Sequence, residues 1–286
     1  MNLSKNHSLI LLHIIIIIWG FTGVLGKLID LNSNAIVWNR MIIAFFSLLI
    51  INYKYLKVSL LNFVKYILIG FLIAIHWITF FESIKLSTVS LALICLSSIS
   101  LFTALLEPVI QKRNIKFYEI ILSLLVILGI AIIFNYETLY YKAIFLSVLS
   151  AFFAALFTVL NHKLIQKKHH AMTMTTWEMF GGSTLITLYL LLTQQFNTTI
   201  FPQGIDVLYI LILALICTAF AFYASIEVMK KITPFTVNLS VNLEPIYAII
   251  LAIFIFGEEE HMSYEFYIGA FIIFVSILIN SIVKVK

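Results

Sequence analysis

Three observations predict an all-α polytopic membrane protein of ten transmembrane helices, arranged as two inverted five-helix repeats. Apolar residues make up 62% of the chain and charged residues 11%, whereas soluble domains average about 45–50% and about 25%. The polar residues gather into short clusters between long apolar runs, giving a mean hydropathy of +1.09. Finally, the second half of the chain repeats the first in outline. A membrane span needs about 20 mostly apolar residues. The runs are continuously apolar rather than alternating over about ten residues, which excludes a β-barrel.

The first expected span, 9–29, follows Lys5 and so has the basic flank of a signal peptide. Its apolar stretch is too long for one and no small-residue cleavage site follows, so it reads as a retained helix. Spans at 35–52, 64–84, 87–110 and 118–134 complete the first half, and spans at 142–162, 172–193, 206–228, 234–256 and 264–282 form the second. Thr233-Pro234 reads as a cap and first-turn proline opening the ninth span. Several connections are only a few residues long, which makes successive helices antiparallel neighbours. The longest runs from Gln194 to Ile205, with Asn197, Pro202 and Gly204 as turn residues. Cys95 and Cys217 both fall inside spans and make no metal or redox pattern, so they read as packing residues.

Lys and Arg positions set the orientation. With the N-terminus cytoplasmic, the inner side holds fourteen of the 18 basic residues, Lys284 and Lys286 among them, and the outer side only Lys27, Arg40, Lys85 and Lys142. The acidic cluster Glu258, Glu259, Glu260 and Glu265 then lies outside. Both termini are therefore expected in the cytoplasm, with the chain multi-pass in the cell membrane. The net charge of +5 is an orientation signal. A nucleic-acid partner would need clustered charge on a soluble face, and the sequence has none.

The repeat is visible in ordered pairs of segments. "WGFTGVLGKLI" (Trp19 to Ile29) matches "AALFTVLNHKLI" (Ala154 to Ile165), and "WNRM" (Trp38 to Met41) matches "WEMF" (Trp177 to Phe180). "FFESIKLST" (Phe80 to Thr88) matches "FYASIEVMKKIT" (Phe222 to Thr233), and each half closes on an apolar helix holding a glycine. The repeats are therefore 9–134 and 142–282. Five is odd, so the second half enters the membrane from the opposite side, an architecture of secondary transporters whose substrate site lies near the midplane between the halves.

The Trp-Gly of the first helix, the run "SIKLSTVSLALICLSS" and "NLEPIYAIILAIFIFGE" in the ninth resemble the EamA branch of the drug/metabolite transporter superfamily. The resemblance covers nearly the whole chain and implies ten helices, cytoplasmic termini and alternating access around a central cavity. Members of that family mostly export amino acids, other metabolites or toxic compounds. One departure is that Lys112-Arg113 stands where a Gly-Glu is expected after the fourth helix, whereas Gly257-Glu258 keeps the pair after the ninth.

Polar groups inside a bilayer are costly, about 2.5–3.5 kcal/mol for a charge at a helix centre, and so mark function. The substrate-binding candidates are Trp19, His76, Trp77, Asn238 and Asn242. His76 and Trp77 sit near the middle of the third span, where a neutral imidazole binds a polar group or fixes helix packing. Trp19 lines a cavity or fills the gap beside Gly20 and Gly23. Asn238 and Asn242 are four apart on one helical face, next to a kink at Pro245, and broken backbone is tolerated only where protein or water covers it. Glu244 lies near the bilayer centre with no basic partner on its own helix. It is the candidate for proton coupling, ionising when the cavity opens to water. Arg40 snorkels outward or pairs with Glu82 as an outer gate. Glu107 is expected to pair with Lys112 or Arg113, and Glu178 with Lys163 or another base, both in structural roles.

No metal motif, nucleophile–base pair or acidic metal cluster supports the competing reading of a membrane-embedded enzyme. No phosphate-binding loop supports an ATP-driven pump. The sequence therefore reads as a secondary transporter, or as a facilitator without ion coupling. It implies no metal or cofactor, and its partners are a small-molecule substrate, the lipid bilayer and, through Glu244, protons.

Overall fold

The computed structural model describes residues 4–260 and 262–283. Lys284, Lys286 and the side chain of Glu259, used above for orientation, lie outside the described residues. Every regular element among those described is helical: α1 (Lys5–Leu28), α2 (Ser33–Asn52), α3 (Leu60–Leu86), α4 (Val89–Leu96), α5 (Ile99–Gln111), α6 (Phe117–Tyr136), α7 (Tyr141–Gln166), α8 (Ala171–Leu192), α9 (Asp206–Ala214), α10 (Ala221–Val228), α11 (Pro234–Val241), α12 (Glu244–Phe256) and α13 (Tyr264–Val283). A π-helical stretch, Leu215–Phe220, joins α9 to α10. Asn32, Ser59, Thr88 and Thr233 each cap a helix by accepting a backbone N–H, satisfying a donor that the first turn leaves free.

Three of the expected spans are interrupted. The fourth divides at Ser97-Ser98 between α4 and α5, where the hydroxyls of Ser97, Ser98 and Ser100 donate to nearby carbonyls. Such local bonds compete with the helical ladder. The ninth divides at Asn242-Leu243, and Pro245 sits in the first turn of α12, where its missing N–H costs nothing. The eighth passes through the π-helical stretch.

By length and composition, seven helical segments among the described residues can cross a membrane: Lys5–Leu28, Ser33–Tyr55, Leu60–Leu86, Val89–Gln111, Thr138–Gln166, Asp206–Val228 and Pro234–Phe256. Phe117–Ile133 and Tyr264–Ser276 are apolar but shorter. Helix α8 differs for a chemical reason. It carries Glu178, two glycines and a series of hydroxyls, of which Thr175, Thr176, Thr184 and Thr187 donate to carbonyls of their own helix. It packs against α2 and α3 rather than presenting a continuous apolar face.

The packing recurs with the halves exchanged. Helix α3 lies on α7 as α10 lies on α1; α5 lies on α7 as α12 lies on α1; α3 touches α8 as α9 touches α2. The pairs α2–α8 and α6–α13 join equivalents. Glycines allow the closest approaches. A Cβ on Gly129 would lie 2.7 Å from the carbonyl oxygen of Gly269, and one on Gly269 would lie 2.6 Å from that of Gly129. The main apolar core draws on both halves. Outward-facing residues such as Ile50, Val109, Leu192 and Phe254 are exposed and apolar, as a lipid-facing surface requires.

Candidate functional site

The irregular backbone surrounds a central cavity holding about 740 Å³ of empty space, counting its open mouth. Trp19 of α1, Arg40 of α2, His76 and Trp77 of α3, Asn238 of α11 and Glu244 at the start of α12 line it. Helix α7 adds Phe157, Thr158 and Asn161, and α10 adds Phe222 and Ser225. Both halves therefore contribute to one chamber with aromatic walls and a few polar groups.

The π-helical stretch sets one part of this wall. Its wide turn leaves the Cys217 carbonyl to accept the Trp19 indole N–H at 3.1 Å. It also presents Thr218 Oγ1 to Arg40, at 2.9 Å from Nε and 2.7 Å from Nη2, while that hydroxyl donates to Leu213 O. The Arg40 guanidinium lies 3.8 Å from the centroid of the Trp77 ring, a cation–π contact. Arg40 is only 1% exposed, and its Nη1 has no hydrogen-bond partner.

His76 is fixed by Ser150. The Ser150 hydroxyl donates to the His76 carbonyl at 2.9 Å, and His76 Nδ1 lies 3.0 Å from the Ser150 carbonyl. The Ser150 hydroxyl also lies 2.7 Å from Nδ1, so Ser150 holds the ring through Nδ1 in either tautomer. Phe80 stacks on the imidazole and Phe157 tilts against it. At the broken helices, Asn238 Nδ2 donates to Thr103 Oγ1 at 2.7 Å and Asn242 Nδ2 to Ser100 Oγ at 3.2 Å. The two interrupted helices are thus bonded to each other beside their breaks. Glu244 is 5% exposed, and among the described residues its carboxylate has neither a hydrogen bond nor an ion pair.

Of the candidate residues, Trp19, Arg40, His76, Trp77, Asn238 and Glu244 come together at the cavity. Asn242 does not line it. Helix α11 ends at Val241, so the shared face of residues four apart stops before Asn242, which turns instead to Ser100. The Arg40–Glu82 gate does not form. Arg40 gains two hydrogen bonds and an aromatic face within the protein, and Glu82 accepts from Ser33 Oγ at 2.6 Å. Nor does Glu178 meet Lys163. Glu178 is fully buried, with Asn161 Nδ2 at 3.4 Å, while Lys163 donates to the Ile110 carbonyl. Glu107 does pair with Arg113, at 3.4 Å, and also accepts the Phe235 N–H at the start of α11. Sequence reasoning missed Thr218, Asn161 and the aromatic pair Phe157–Phe222. For the aromatics the signal was present: Phe222 opens the repeat segment that matches Phe80.

A family model described as the EamA-like transporter family matches the chain twice, over residues 7–135 and 141–282. The fold is similar to that of a solved crystal structure with a TM-score of 0.73, at 14% sequence identity, over 98% of this chain and 99% of the other. No curated protein matches the chain.

Proposed function

Given that the chain belongs to the EamA-like transporter family, within the drug/metabolite transporter superfamily, and is a multi-pass membrane protein, we propose that it is a secondary transporter that exports small metabolites by alternating access. In this reading ten helices cross the membrane as two inverted repeats, 9–134 and 142–282, with both termini cytoplasmic. The observation that carries it is the single chamber walled by both halves at their broken helices. Such a chamber is where an inverted-repeat transporter holds its substrate. Trp19, Trp77, Phe157 and Phe222 supply apolar walls, and His76, Asn238 and Arg40 supply oriented polar groups, the composition of a small-molecule site. Glu244, ionisable and unpaired, is the coupling group.

The test is uptake of a panel of labelled amino acids and other metabolites into proteoliposomes. Trp19→Ala and His76→Ala should each reduce transport by about tenfold or more, since each removes a wall or a hydrogen bond, at wild-type levels of folded protein. Normal transport by both variants would place the substrate site elsewhere. A facilitator would equilibrate substrate in the same assay without ever accumulating it.

A further inference from the structure

We infer that Glu260 and Glu107 are latches at opposite ends of the bundle, and that the stronger one, Glu260, holds the resting transporter closed at its own end; the inference rests on the alternating-access reading of the central chamber. Two of the interrupted helices begin in the same way. In α4, Thr88 Oγ1 caps the Leu91 N–H. The Val89 and Ser90 N–H groups donate to the Glu260 carboxylate at 3.0 and 2.9 Å, and Ser90 Oγ adds a third bond at 2.6 Å. In α11, Thr233 Oγ1 caps the Thr236 N–H. Pro234 has no N–H to give, and the Phe235 N–H donates to Glu107 at 3.1 Å. A carboxylate at a helix N-terminus satisfies free donors and complements the helix dipole. Glu260 follows α12 in the second half and caps a helix of the first, while Glu107 lies in α5 of the first half and caps a helix of the second. Each latch therefore ties one half of the chain to the other.

The two latches are unequal. The Lys27 ammonium of α1 lies 3.1 Å from Glu260 and 4.5 Å from the centroid of the Phe256 ring, so this ion pair itself joins the halves. Glu260 is fully buried, and parting a buried pair strands both charges. At the other end the residues after α5 are basic, Lys112-Arg113, and the carboxylate comes from within the helix. Its partner Arg113, at 3.4 Å, belongs to the same half and also holds Glu119 at 2.8 Å. Parting the halves at this end breaks the Glu107–Phe235 bond and leaves the ion pair whole. Two further bonds between the halves there, Lys163 to the Ile110 carbonyl and Gln111 with His162, each involve a neutral group. Parting the halves at the Glu260 end breaks an ion pair and three charge-assisted bonds together. The equilibrium is therefore weighted toward the conformation closed at that end, which is the outer face in the proposed topology. An exporter resting in this state presents its chamber to the cytoplasm, where substrate is loaded.

Access to a cysteine inside the chamber tests this. Ser225 lines the cavity, and Ser225→Cys is nearly isosteric. Its rate of modification by an impermeant thiol reagent is measured from the outer face in intact cells and from the inner face in inside-out vesicles, with the chain lacking this cysteine as background. Glu260→Gln should speed modification from the outer face by about tenfold or more and slow it from the inner face, since the charge-assisted bonds weigh on only one of two conformations. Glu107→Gln should shift access the other way, and by less. Should Glu260→Gln fail to fold, Lys27→Gln carries the test: it removes the ion pair, keeps the bonds to α4 and should speed outer modification by a smaller factor. The inference is overturned if Glu260→Gln, or Lys27→Gln in its stead, leaves both rates unchanged or speeds both alike, the mark of a loosened fold. It is also overturned if Glu107→Gln opens the outer face as much as Glu260→Gln does. A cysteine modified from both faces yet indifferent to these substitutions would remove the latches and leave the alternating chamber. One modified from neither face in any variant would remove both.

Discussion

Glu244→Gln isolates the carboxylate that lines the cavity. The substitution conserves shape and keeps polar atoms at both positions, and the carboxylate it replaces has no partner among the described residues, so the fold loses no bond. One titrating group of this kind carries at most one proton per cycle. A gradient of one pH unit is worth about 1.4 kcal/mol per proton, so one-for-one coupling accumulates substrate about tenfold per pH unit and about a hundredfold over two. The assay is transport in proteoliposomes with the membrane potential clamped and the pH gradient stepped, using whichever substrate the uptake panel identifies. The wild type should follow that slope. Glu244→Gln should lose gradient-driven accumulation yet still exchange substrate at equal pH, because the chamber is intact. Accumulation that survives in Glu244→Gln would remove this residue from the mechanism, and a wild type that ignores the gradient would remove proton coupling altogether.

The remaining expectations concern topology, packing and pH. Single cysteines placed at Lys168 and Gln203 should differ in intact cells: an impermeant thiol reagent should label only Gln203, against a low background because Cys95 and Cys217 are both buried. Labelling at Lys168 would reverse the orientation. Gly70→Ala would drive a Cβ into the carbonyl group of Glu178. Overpacking of this kind costs about 1–3 kcal/mol, so the melting temperature should fall, whereas an unchanged value would show that α3 and α8 adjust freely. His169, in the connection before α8, is held below the ordinary imidazole range by burial and by the charges of Lys65 and Lys167. The unfolded chain therefore binds its proton more readily than the folded protein, and stability falls as pH drops below the ordinary value of 6.5. His169→Gln should flatten that part of the stability–pH curve, and an unaltered curve would assign the effect to other groups.

Much of the fold was legible because it follows from burial alone. Long apolar runs and short polar connections require no knowledge of neighbours. What stayed hidden depends on contacts between helices. Ser97-Ser98 carries no proline, and its break becomes meaningful only when Asn242 arrives to bond Ser100. The π-helical turn at Leu215–Phe220 lies in an apolar run with no local marker, yet it places Thr218 beside Arg40. Arg40 looked like a snorkelling residue because its depth was readable and its direction was not. The partners that turn it inward, Trp77 and Thr218, come from two other helices.

The two asparagine side-chain bonds between the broken helices differ in what they should control. Asn238 both bonds Thr103 and lines the cavity, whereas Asn242 only bonds Ser100 across the breaks. Each bond links the first half of the chain to the second, so any rocking of one half against the other must break or rearrange them. A neutral hydrogen bond contributes about 0.5–1.5 kcal/mol net, enough to shift a two-state equilibrium by up to about tenfold. Asn242→Ala also removes a buried Oδ1 that has no partner, which offsets part of the loss and favours a folded variant. The expected result is a changed turnover rate with ligand affinity preserved, while Asn238→Ala weakens ligand binding itself. Ser100→Ala should reproduce the effect of Asn242→Ala, and the double variant should match either single one, since groups sharing one bond are non-additive. Additive effects would show that the bond is not the coupling element. Loss of ligand affinity in Asn242→Ala would show that this side chain reaches the substrate in another conformation of the cycle.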